Sequence, residues 1–151
     1  MSLDRTEALI TVVESNVGED AGPVSSFLAQ YLAVILYAEM EERVAEIVKV
    51  HLEGHTHKAV AGFITASLND LIKRLPKSDI AKLTARFGDE FRERFNQAMD
   101  DKNITLYMNV IEARHEIGHK RGSNITLGDV RKGHAAANEI LTAFTKCLAE
   151  H

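Results

Sequence analysis

FLAQYLAVILYAEMEERVAEIV, Phe27 to Val48, decides the fold. Its first half places Phe27, Leu28, Tyr31, Leu32, Val34, Ile35 and Leu36 on nearly every side of a helix, with no Gly or Pro to interrupt it. A helix that is apolar all round belongs in a core, so this segment is expected to run through the middle of the molecule, from about Pro23 to Glu53. Its second half turns charged and amphipathic from Glu39 to Lys49, where Glu39, Glu42 and Glu46 read as a solvated face. Gly54 is expected to end the helix.

The rest of the chain is helical on both sides of that segment. Leu9, Val12, Val13 and Val17 predict a short first helix starting near Ser2, broken at Gly18 to Gly22. Val60, Phe63, Ile64, Ser67, Leu68, Leu71, Ile72 and Leu75 form a helical stripe that Pro76 stops. Ser78 then caps a short helix carrying Ile80, Leu83 and Phe87, and Gly88 separates it from a second one carrying Phe91, Phe95 and Met99. A sixth helix is expected over about 103–119 and a last one over about 126–150. A turn at Gly122-Ser123-Asn124 lies between them, and Thr126 and Asp129 make a capping box. Leu127, Val130, His134, Ala137, Leu141, Phe144 and Leu148 repeat at 3–4 spacing, a long apolar seam suited to a bundle or a partner helix. There is no internal repeat, low-complexity tract or strand-like alternation. The expectation is one all-α domain of about seven helices spanning residues 1–151.

Composition narrows the function. A chain of 151 residues, 45% apolar and 26% charged, is long enough for one real core. A net charge of -4 and a pI near 6.0 exclude a protein that grips nucleic acid by bulk positive charge. Any such role needs a local basic site. Between Arg114 and Lys132 stand Arg114, Lys120, Arg121, Arg131 and Lys132 against Glu116 and Asp129, with His115 and His119 among them. That window reads either as a solvated helix end and loop or as a phosphate site. Cys147 is the only cysteine, so no internal disulfide forms, and on an amphipathic helix it reads as a small buried hydrophobe. Met1 to Asp20 lacks the apolar stretch of a signal peptide, and Phe27 to Ala38 is too short to span a bilayer. A cytoplasmic protein without a membrane partner is expected.

The chemistry concentrates in Arg114-His115-Glu116-Ile117-Gly118-His119. Arg offers a planar fork of donors that fits a phosphate. His moves a proton near neutral pH. On the sixth helix Tyr107, Val110, Arg114 and Ile117 share one stripe. Ile104, Met108, Ile111, His115 and Gly118 share the next, and Thr105, Asn109, Glu112, Glu116 and His119 form the polar one. Arg114 and His115 therefore interrupt the apolar side. A guanidinium there is costly unless it is paired or faces a wet cleft. It reads either as a structural ion pair with a Glu of the long helix or as a ligand-binding group. His119 lies about 140° from Arg114 on an ideal helix. Convergence needs a distortion near Gly118 or a second copy across a two-fold axis.

NVIEARHEIGHKRGSNITLGDVRKGHAAANEILTAF, Asn109 to Phe144, resembles the C-terminal part of a HEPN domain, in particular the RiboL-PSP-HEPN family. That family has an R-H-x-I-A-H-G type motif, a polar loop, an I-T-L segment and a final amphipathic helix, in that order. Phe27 to Val48 resembles its long N-terminal helix, with a glutamate at Glu41. The resemblance implies a HEPN-type helical bundle that dimerises through the motif-bearing region. It further implies a metal-independent endoribonuclease in which 2′-OH attack leaves a 2′,3′-cyclic phosphate. Carried onto this chain, Arg114 and His119 are the catalytic pair and His115 the polar residue after the Arg. Beside that resemblance, Lys120 and Arg121 are expected from their charge to bind substrate, and Glu41 and His134 to support the site. The partners implied are RNA, a second copy, and an antitoxin or operon-encoded protein in phage defence or a toxin-like system. No cofactor is implied. Two positions depart from the pattern: Gly118 replaces the small residue before the last His, and Lys120 replaces the following Gly, with Gly122 two positions on. Some HEPN domains bind nucleotides or proteins without catalysis, which is the alternative reading.

Three further histidines invite a metal reading. His51 and His55 share a helix face, with His57 close by, but Gly54, the lack of Cys and the single nearby carboxylate Glu53 argue against a site. No metal is expected. His134 on the apolar seam reads as a satisfied core or interface histidine, or as a group reaching the motif. Glu41 reads as a partner of Arg114 or as an exposed helix charge.

Overall fold

The structure is a computed structural model that describes residues 2–17, 22–55, 57, 60, 62–67, 79–118 and 124–149, without the side chains of residues 55, 79–82 and 114–118. The described residues are helical, with no strand among them. The helices are α1 (Asp4–Val17), α2 (Pro23–His55), α3 (62–67), α4 (Asp79–Arg86), α5 (Asp89–Ala98), α6 (Asp101–Gly118) and α7 (Leu127–Ala149). The all-α expectation holds.

α2 and α7 form the frame. Both pack against α1 and α6, and α6 and α7 pack closely on each other. Leu32, Leu36 and Val48 of α2, Val110 of α6, and Val130, Ile140, Leu141 and Leu148 of α7 are buried in one core. Each fully buried aliphatic side chain contributes roughly 1.5–3 kcal/mol. The Leu127–Leu148 seam predicted for the last helix is the buried face of α7. α4 and α5 join the far end of that seam through an aromatic cluster. Phe144 meets Phe87, Phe91 and Phe95 edge-on at ring separations of 5.9, 5.7 and 6.2 Å. Gly88 parts the two helices with φ 99, a conformation only glycine adopts without strain.

Several expectations need correction. α2 is not buried all round. Val24, Phe27, Tyr31 and Val34, spaced i, i+3, i+7, i+10, are exposed, while Ala29, Leu32, Ala33 and Leu36 take the core side. Apolar composition cannot say which side of a helix finds neighbours. The helix also runs past Gly54 to His55. It is long and apolar enough to cross a membrane by length and composition alone, and one side of it packs against α1, α6 and α7. Leu3 just ahead of α1 and Thr6 and Ile10 within it are the core residues there, and Val12 is exposed. Of the predicted third stripe, Val60 and Phe63 are exposed and Ile64 is half-buried; Leu68, Leu71, Ile72, Leu75, Pro76 and Ser78 lie outside the described residues.

Glu39 is the clearest departure. It was read as part of a solvated face, yet it is 2% exposed. It continues the Leu32–Leu36 stripe of α2 and meets the start of α1. Its carboxylate accepts from the Arg5 amide at 3.0 Å, the Thr6 amide at 2.8 Å and the Thr6 hydroxyl at 2.6 Å. The first amides of a helix have no intrahelical partner, and the helix dipole favours an anion there. Glu39 thus caps α1 from another helix.

Candidate functional site

The last turns of α6 carry residues 114–118 of the motif, and α7 packs against this helix. Tyr107, Val110, Ile111 and Ala113 are the buried positions of α6, while Thr105 and Asn109 are exposed. Position 114 follows Val110 by four residues on the same helix. α6 remains helical through His115 and Gly118 and ends there. Gly118 is the last described residue of α6, and His119 lies outside the described residues.

The contact that holds α6 to α7 is a glycine. Gly133 of α7 lies against Val110, and a Cβ there would overlap Val110 Cγ2 and come within 3.4 Å of the Leu106 carbonyl oxygen. The two backbones therefore approach more closely than any other residue at 133 would allow. α7 begins where predicted. Thr126 and Asp129 cap reciprocally: the Asp129 amide donates to Thr126 Oγ1 and the Thr126 amide to Asp129 Oδ2, both at 3.1 Å. The close crossing and the cap set the start of α7, and with it one end of the connection to the motif.

Glu41, expected to support Arg114, is half-buried on α2. It continues the buried Tyr37–Val44–Val48 stripe of that helix, and α2 packs against α6. The side chains of Arg114 and His115, and residues His119, Lys120 and Arg121, lie outside the described residues.

Two members of the basic and histidine set are engaged elsewhere. Arg131 points to α1, where Nε and Nη2 grip Glu14 at 2.7 and 2.5 Å and Nη1 lies 3.4 Å from Glu7. The hydrogen bond from Arg131 holds the Glu14 carboxyl below the usual carboxylate range, against a smaller opposing effect of burial. Arg131 is thus neutralised by acids rather than presented to a phosphate, which removes it from the basic window read in the sequence. His134 is buried at 7% exposure. Its Nε2 lies 3.0 Å from the Leu3 carbonyl oxygen and its Nδ1 3.2 Å from Glu7 Oε2. This geometry matches the satisfied core histidine of the two alternatives. Cys147 is buried, as a small hydrophobe would be. Among the described residues no group of three or more His, Cys, Asp or Glu is placed to hold a metal ion. His55 falls outside that statement, because its side chain is not described.

Sequence reading missed the polar seam between α1 and α7 and the Glu39 cap. A signal existed for each. Glu39 and His134 both sit at core positions of apolar stripes, where a polar residue demands a partner. The partners, Thr6, Glu7 and Leu3, are remote in sequence and leave no local trace.

The family model of RiboL-PSP-HEPN matches residues 2–150. No curated protein and no solved structure matches the chain.

Proposed function

We propose, because this chain belongs to the RiboL-PSP-HEPN family, that it is a metal-independent endoribonuclease acting as a homodimer. Family membership by itself points to a nuclease or nucleotide-binding module. The finer reading rests on one observation: Arg114 and His119 stand in the order and spacing of the family motif, with Arg114 near the end of α6.

The chemistry needs no cofactor. His119 takes the proton of a ribose 2′-OH as O2′ attacks the adjacent phosphorus. Charge builds on the non-bridging oxygens, and the Arg114 guanidinium binds them more tightly in that transition state than in the ground state. The P–O5′ bond breaks, and O5′ leaves with a proton supplied by His115. The products are a 2′,3′-cyclic phosphate and a 5′-hydroxyl. Only RNA carries the required nucleophile. Lys120 and Arg121 add positive charge for the phosphate backbone. Two copies brought together at the motif would place both sets of groups in one cleft. A cytoplasmic role in phage defence or a toxin-like system, with an operon-encoded partner, completes this reading.

One observation favours the alternative, a module that binds nucleotide or protein without cutting: Lys120 occupies the position of the family's glycine after the last His. The deciding experiment is cleavage of end-labelled RNA by purified protein in EDTA, beside Arg114→Ala and His119→Ala. Wild-type cleavage leaving cyclic-phosphate ends, reduced at least about 100-fold in each variant, is the expected result. A folded, dimeric wild type that cuts none of several RNAs leaves the binding module.

A further inference from the structure

We propose that the exposed apolar face of α2 is the surface on which a second copy of this chain docks, α2 against α2, about a two-fold axis level with Ala29. Val24, Phe27, Tyr31 and Val34 are 57%, 69%, 53% and 38% exposed. After Pro23 they are the exposed positions of α2 as far as Ala38, and no charged residue stands in that stretch. A helix that meets water turns charged and polar residues outward. A charge-free outer face is instead a surface made for contact.

The order of residues on the face selects the occupant. Spacings of three, four and three carry valine, aromatic, aromatic and valine, and both series read the same from either end. The spacing is that of a narrow coiled-coil seam, which fits one facing helix. A two-fold interface uses one patch twice, so the patch must complement itself. Antiparallel pairing about Ala29 sets Val24 beside the partner's Val34 and Phe27 beside the partner's Tyr31. Small side chains then meet small ones, and rings meet rings, which contributes beyond the area they bury. Two acidic chains meet no like charges across this face, whereas a nucleic acid finds no cation on it. The four side chains supply on the order of 400 Å² per copy, about half of what each partner of a standard interface buries. The stripe is therefore the centre of the interface, with its rim on the neighbouring surface.

The place of the face along the bundle gives the pairing a consequence. α1 runs antiparallel to α2, with Arg43 at Ser2 and Glu39 at Thr6. It also runs antiparallel to α7, with Asn138 at Leu3 and Arg131 at Glu14. The N-terminal half of α2 thus lies at the end of the bundle where α7 starts. The last turns of α6, which crosses α7 at Val110 and Gly133, point to the same end. A two-fold axis through this half of α2 brings the motif-bearing ends of both copies to one level of the dimer. The pairing is argued from the face alone, and only this consequence rests on the ribonuclease reading.

The test is sedimentation of the full-length chain over a dilution series, beside the double variant Phe27→Glu/Tyr31→Glu. Both positions are exposed, so the fold should survive the change, which circular dichroism checks. The wild type should run near twice 16.7 kDa and the variant near once that mass, with the dimer dissociation constant raised at least about 30-fold. Single-cysteine variants read the register. Val24→Cys mixed with Val34→Cys should cross-link through a short thiol linker. Val24→Cys alone should not, because its two copies lie about 15 Å apart along the helices. Cys147 is buried and stays out of the reaction. A monomeric wild type, a dimer indifferent to the double variant, or Val24→Cys that links to itself as fast as in the mixture overturns the pairing. A folded double variant that stays dimeric but loses RNA binding overturns it too and gives the face to RNA. Cleavage of RNA in EDTA by a monomeric wild type sinks this interface and leaves the ribonuclease reading standing. A dimer that forms through the face and cuts no RNA upholds the interface and removes that reading.

Discussion

At the residue scale, the organising fact is a buried carboxylate that sits where a helix begins. Burial opposes the charge on Glu39. The Thr6 hydroxyl, the Arg5 and Thr6 amides and the Arg5 charge outweigh it, and the carboxyl is held below its usual value. A depressed carboxyl stabilises the fold fully above its unfolded value and ceases to as pH falls through its folded one. Glu39→Ala leaves two helix-start amides and a buried hydroxyl unsatisfied and should cost about 2–3 kcal/mol at neutral pH. Glu39→Gln, which keeps an acceptor, should cost less, and it should lose less stability than the wild type as pH falls below 4.5. Urea unfolding at pH 7 and again in acid checks both statements. Equal acid sensitivity in wild type and Glu39→Gln would remove the capping carboxylate from the account.

At the element scale, α6 and α7 cross at a glycine and are joined across a short connection whose far end is capped. Gly133→Ala would gain about 1 kcal/mol in helix propensity. It would also force Val110 and the α6 backbone away, and overpacking of this kind costs about 1–3 kcal/mol. The net expectation is a lower melting temperature, together with loss of RNA cleavage larger than the loss of folded protein, because α6 carries the motif. Thr126→Ala removes one half of the cap and should cost about 1 kcal/mol, read as a modest shift of the thermal midpoint. If Gly133→Ala melts like wild type, α6 can slide on α7 and the motif helix is less constrained than the crossing implies.

At the scale of the whole molecule, charge is distributed against a simple nucleic-acid grip. The chain is acidic overall, and one cation of the basic window, Arg131, is tied to Glu14 and Glu7. The proposed RNA binding should therefore involve few phosphates and show a shallow salt dependence. The proposed two-copy arrangement predicts a sedimentation mass near twice 16.7 kDa. A monomer with full ribonuclease activity would show that one copy holds a complete site. Val24, Phe27, Tyr31 and Val34 leave an exposed apolar face on α2.

What the sequence determined by itself is local. Helical periodicity, the Thr126–Asp129 cap, the Gly88 break and the seam from Leu127 to Leu148 all follow from spacing and backbone preference, which act between residues a few positions apart. The RiboL-PSP-HEPN assignment was legible for the same reason, since the motif, its loop and the last helix are contiguous. The tertiary structure alone decided which side of α2 is covered. It also decided that Glu39 caps α1 rather than meeting water, and that Arg131 and His134 serve the α1–α7 seam. Each of those outcomes depends on partners 33 to 131 residues away. A side chain's own position on a helix sets the face it occupies. What lies opposite that face is set by packing.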